Sequence, residues 1–230
     1  IAKFLEKNSG SISAVRLDDG NATVSVAMTG AGLLSSQEGY THIAPMQGFY
    51  VVAKNQATEL SLTFTEEMLG QKPGYRIYSA PSVMTKASAY PAPAGVSDCL
   101  RITAMVGGRS STALVLLDSG ASDAFVAGED VELFIDGGLE HPVTVFTAAS
   151  GHALEIQQSH GDTVIPVGFI MDSPARLVLS LSHTAGDAWS GWSLVDGNTG
   201  REWSLDPSGA YIDLGMTDTR VGRYYLKKNR

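Results

Sequence analysis

The sequence predicts an all-β chain, and three observations carry that prediction. Apolar residues recur at every second position in many short runs, clusters of Gly, Asp, Asn and Ser separate those runs, and no stretch sustains a helical period. Such patterning suits antiparallel sheets of the sandwich kind, jelly-roll or Ig-like. A length of 230 residues accommodates two modules. The expected division is an N-terminal β-sandwich over 1–95, closing on a linker rich in Pro, Ala and Ser, and a C-terminal β-sandwich over 96–230.

Taken in order, residues 1–7 read as one short helical turn or a frayed end. Residues 11–17 and 22–28 flank the turn signal Asp18-Asp19-Gly20-Asn21, which predicts a β-hairpin. Gly30, Gly32 and Gly39 punctuate a loop. Residues 48–53 and 59–65 read as two more strands, the second with Leu60, Leu62 and Phe64 on one face. Pro73, Pro81, Pro91 and Pro93 then interrupt an Ala- and Ser-rich stretch, because proline removes ladder donors, and the module boundary is expected there. In the second half, strands are expected at 98–105, 112–117, 143–147, 153–157, 163–169, 175–182, 191–196, 202–205, 209–214 and 220–227. Turns at Gly107-Gly108, Gly137-Gly138, Ser150-Gly151 and Asp196-Gly197-Asn198 separate many of them.

Composition narrows the function. Hydrophobic residues at 43% and charged residues at 17% supply a core and lack the signature of a disordered chain. The net charge of −8 repels phosphate backbones, which argues against a nucleic-acid partner. No apolar run approaches the roughly 18 residues of a membrane helix, so no membrane insertion is expected within the chain. Cys99 is the sole cysteine; it has no disulfide partner in the chain, and beside Leu100 and Ile102 it reads as a small core residue. The first residues show neither a start methionine nor a signal-peptide pattern, so the chain is expected to begin inside a longer polypeptide.

Several segments together resemble a known family. Ile43-Ala-Pro-Met-Gln-Gly-Phe-Tyr-Val-Val-Ala-Lys54 followed by Leu60-Ser-Leu-Thr-Phe-Thr65 is similar to a segment near the C-terminal part of large secreted or surface proteins of Bacteroidetes. The likeness continues in order with Cys99-Leu-Arg-Ile-Thr103, an acidic Gly-containing connection from Asp118 to Phe134, and Val164-Ile-Pro-Val-Gly168. Trp192-Ser-Leu-Val-Asp-Gly-Asn-Thr-Gly200 and the closing Gly222-Arg-Tyr-Tyr-Leu226 complete it. The resemblance implies β-sandwich modules without an active site, in proteins that often carry a C-terminal sorting signal of the type IX export pathway. This chain departs from the pattern in showing no sorting domain after Leu226.

One motif argues for an enzyme instead. The hydrophobic run Ala113-Leu-Val-Leu-Leu117 followed by Asp118-Ser119-Gly120-Ala121 resembles the catalytic loop of retroviral-type aspartic proteases. That chemistry needs two carboxylates sharing one proton. Within the chain the nearest second loop is Asp172-Ser173-Pro174, where proline replaces the turn glycine, so the reading requires a homodimer lending Asp118 twice. The competing reading is a structural bend. Asp118, Asp123 and Asp130, with Ser122, also raise a calcium possibility, although the spacing matches no EF-hand loop.

Trp189, Trp192 and Trp203 lie close in sequence; Trp189 and Trp203 are the candidate rings for stacking on sugars, in a carbohydrate-binding module. His42, His141, His152, His160 and His183 are scattered without metal-ligand spacing, and no Gly-x-Ser-x-Gly elbow or phosphate-binding Gly-rich loop occurs. No cofactor is expected. The sequence therefore points to a non-catalytic region of an exported bacterial surface protein, in adhesion or display, with an extracellular protein or glycan as partner. Its alternatives are the Asp118 protease and the carbohydrate-binding module.

Overall fold

A computed structural model describes residues 1–18, 23–29, 32–36, 40–43, 47–54, 60–69, 98–134, 142–184, 186–206 and 208–229. The expected hairpin turn at 19–21, the Gly137-Gly138 turn, His141 and the proline-rich linker with its boundary near residue 95 lie outside them.

The N-terminal residues form a helix, α1 (Ala2–Lys7), which sends Phe4 and Leu5 into a core. Behind it stand four antiparallel strands, β1 (Ile12–Asp18), β2 (Thr23–Thr29), β3 (Gly32–Ser35) and β4 (Phe49–Ala53), in the order β3-β2-β1-β4. Strands β1 and β2 are covered on both faces. Val15, Leu17, Val24 and Val26 pack with Phe4 and Leu5, while Ala14 and Ala27 point the other way with Leu34. Small residues on that second face let another layer approach closely.

Two expectations need correction here. The stretch around Gly32, read as loop, contains strand β3, whose four residues are too few to show a period. Conversely, residues 60–65 form no strand. The Asn8 side chain takes the place of a neighbouring strand: its Oδ1 accepts from Thr63 N at 2.7 Å and its Nδ2 donates to Thr63 O at 2.9 Å. Phe64 lies against Phe4 with ring centroids 5.0 Å apart, and a 3-10 turn (Glu66–Met68) follows.

The remaining strands are β5 (Cys99–Val106), β6 (Arg109–Leu117), β7 (Val131–Glu132), β8 (Val143–Ala149), β9 (His152–Ser159), β10 (Ile165–Met171) and β11 (Ala175–His183). After them come β12 (Trp192–Asp196), β13 (Glu202–Ser204), β14 (Ala210–Thr217) and β15 (Arg220–Lys228). They join one sheet in the order β13-β12-β15-β10-β8-β9-β6-β5-β11-β14, with β7 beside β9, and this sheet is barrel-like and nearly closed. Gly107-Gly108 and Ser150-Gly151 adopt positive φ and turn the β5–β6 and β8–β9 hairpins tightly, as type I′ loops require.

Strand β9 joins the two halves of this sheet. Its first residues pair antiparallel with β8 and its last pair parallel with β6, the only parallel ladder among the described residues. Alternate residues of the wall, including Leu100, Ile102, Val145, Val167, Phe169, Leu179 and Leu226, fill the interior.

The outer face of β5, β6 and β9 supplies Cys99, Leu114, Leu116 and Ile156, and these pack against Ala14, Ala27 and Leu34 of the first sheet. The layers are thus helix, four-stranded sheet, barrel wall and barrel core. The all-β class holds, with antiparallel and mixed sheets and one nearly closed, barrel-like sheet.

Candidate functional site

The acidic connection between β6 and β7 was the sharpest chemical signal in the sequence. At its start Asp118 N donates to Ser159 O, Gly120 N donates to Asp118 Oδ1 at 2.8 Å, and Ala121 N donates to Asp118 O at 3.0 Å. Asp118, Ser119 and Gly120 therefore form an exposed side-chain-capped turn at the strand end. Asp172-Ser173-Pro174 forms another exposed bend, between β10 and β11.

Asp123 binds the β9–β10 link. It accepts from Ser159 Oγ at 2.6 Å, from Gly161 N at 3.0 Å and from Thr163 N at 3.1 Å. Partial burial works to raise its pKa, but these donors outweigh that and hold the carboxyl below the ordinary value. Asp130 is buried and ties the connection to strand β9, accepting from Val126 N at 2.8 Å and from Gln158 N at 2.9 Å. Here desolvation wins over the two amide donors, and the pKa is pushed up to about 6.

The calcium possibility asked Asp118, Asp123 and Asp130 to converge. Instead each carboxylate serves its own set of amide or hydroxyl donors, Asp118 within its turn, Asp123 across to the β9–β10 link and Asp130 in its own connection and in β9, and among the described residues no three His, Cys, Asp or Glu side chains gather to hold a metal ion.

The tryptophans also separate. Trp189, expected as a sugar-stacking ring, is only 1% exposed; it packs on Trp192 at 5.2 Å and donates from Nε1 to Asp98 O. That expectation is corrected: both rings are buried in the main hydrophobic core. Trp203 is half-buried, with the Arg201 guanidinium 4.8 Å from its ring centre. Cys99 is enclosed, and burial pushes its thiol up to about 11.

A different cluster was not foreseen. Tyr50 of β4 and Phe134, just beyond β7, lie with ring centroids 5.3 Å apart on the seam between the two sheets. The Arg16 guanidinium sits 5.2 Å from the Phe134 ring. Two residues earlier in the chain, Glu132 Oε1 meets His152 Nδ1 at 2.7 Å, and the His152 ring stacks on Phe125 at 4.1 Å and 16°. The available sequence signal was weak: Phe125 and Phe134 are aromatics inside an otherwise acidic connection. Nothing in the sequence showed that β4 would bring Tyr50 beside them.

Beneath this seam lies a buried polar contact. Ser25 Oγ donates to Glu155 Oε2 at 2.6 Å and accepts from Arg16 Nε at 3.2 Å, while Arg16 Nε stands 3.7 Å from Glu155 Oε2. Burial disfavours charge on both partners, raising Glu155 and lowering Arg16, against their mutual attraction. Arg101 adds a donor from β5 to Ser36 O, just after β3. Comparison of the chain with protein-family models, with curated proteins and with solved structures gave no match.

Proposed function

We propose that this chain is a non-catalytic β-rich region of an exported bacterial surface protein, acting in adhesion or display toward an extracellular protein or glycan. The observation that carries the reading is the use made of the acidic connection. Asp118, Asp123 and Asp130 are engaged by backbone amides of nearby turns and strands, which is how carboxylates hold loops in place. The ordered likeness of most of residues 40–230 to C-terminal regions of Bacteroidetes surface proteins supports the same reading and implies β-sandwich modules; the proline-interrupted stretch after Pro73 puts their division near residue 95. Hydrophobic cores on both sides of the four-stranded sheet suit a rigid scaffold whose loops present contacts.

Antibodies raised against the chain test this in the organism that makes it. The reading expects label on intact, non-permeabilised cells or in the culture fluid. Label that appears only after lysis contradicts it.

A further inference from the structure

The seam between the two sheets carries an interrupted strip of aromatic rings. Tyr50 is 51% exposed and Phe134 37% exposed, so both present ring surface to solvent while leaning on each other. Phe125 is half-buried beneath the stacked ring of His152. His152 of this second patch pairs with Glu132, and both side chains are partly open to water. Arg16 links the patches from below: its guanidinium lies near Phe134 and also feels the Glu132 charge. Glu132 ends β7, and Phe134 follows two residues later in the same connection.

That arrangement has a chemical meaning. Ring faces cover the apolar C–H faces of a pyranose, and the Glu132 carboxylate oxygens and the free ring nitrogen of His152 offer hydrogen-bonding partners to vicinal hydroxyls, which both donate and accept. A purely hydrophobic partner would leave the Glu132–His152 pair desolvated and incompletely satisfied, which is costly. An anionic glycan would face Glu132 within a chain of net charge −8. We infer that the Tyr50–Phe134–Glu132–His152–Phe125 strip is a binding site for neutral pyranose oligosaccharides. This rests on the adhesion reading above and names a partner class for it, at residues other than Trp189 and Trp203.

The test applies the full 230-residue chain to immobilised gluco-, manno- and galacto-configured neutral hexasaccharides, with sialylated and sulfated glycans and purified extracellular-matrix proteins as further arms. Tyr50→Ala, Glu132→Gln and Trp203→Ala are assayed beside the parent, each checked for a cooperative thermal transition. The expected result is retention of at least one neutral hexasaccharide, weakened about tenfold or more by Tyr50→Ala and by Glu132→Gln and unchanged by Trp203→Ala. Tyr50 is surface-exposed and Glu132→Gln keeps its shape, so at least one folded variant is expected to report. Absence of neutral-glycan binding, binding that survives both substitutions, or binding confined to the anionic arm overturns the inference. Binding to a matrix protein alone overturns it too, yet leaves the adhesion reading standing; that reading is decided separately by the label on intact cells.

Discussion

At the scale of single residues, burial rather than neighbouring charge sets the most informative titration. Asp130 accepts two backbone amides, which favour its anion, yet desolvation is the larger effect and Glu129 adds to it. Its folded pKa of about 6 stands above the ordinary aspartate value of about 3.9. A raised acid favours the folded state most when protonated. Its contribution is therefore full below about pH 4 and is lost as pH rises through about 6. A carboxyl-carbon NMR titration is expected to show Asp130 with a midpoint near 6; a midpoint near 4 would mean that the carboxylate is better solvated than its surroundings indicate. Gly168 is a second residue-scale case. A Cβ there would stand 2.3 Å from the Phe146 ring of the neighbouring strand, so Gly168→Ala is expected to destabilise the chain by about 1–3 kcal/mol in urea denaturation. An unchanged midpoint would show that Phe146 moves aside freely.

At the scale of elements, period-two alternation located the wall strands well, because each has one face in the barrel core. Val167, Phe169 and Leu177, Leu179, Leu181 are examples. The same rule failed for residues 60–65, where alternation was present but, among the described residues, no strand lies alongside and the Asn8 amide meets Thr63 instead. It also missed β3 and β7, which are too short to show a period. Turn chemistry read true where the backbone required positive φ, at Gly107-Gly108 and Ser150-Gly151. The Asp196 turn was legible as a turn, but its partner was not. Arg223 on the adjoining strand donates to both carboxylate oxygens, at 2.8 and 2.6 Å, and holds Asp196 well below the usual carboxylate range. The aromatic strip was illegible for a related reason: its members come from β4, the acidic connection and β9, and only the docking of two sheets brings them together.

At the scale of the whole molecule, the four-stranded sheet and the barrel wall meet through apolar side chains, with the buried Arg16–Glu155 pair beside them. Removing one charge alone leaves the other desolvated, so Glu155→Leu is expected to cost about 3–5 kcal/mol. The double replacement Arg16→Met with Glu155→Leu is expected to recover much of that loss, since apolar groups of similar volume often replace such a pair without penalty. Equal destabilisation by the single and double variants in guanidinium denaturation would show that the pair is not what the interface depends on.

The account as a whole turns on Asp118 being the cap of a bend and not half of a proton-sharing carboxylate couple. Release of fragments from a mixed peptide library near pH 5, measured for the parent chain and for Asp118→Asn at concentrations high enough to favour a dimer, tests this most directly. The account predicts no release by either protein. Cleavage by the parent that disappears in Asp118→Asn would contradict it and make the chain a protease.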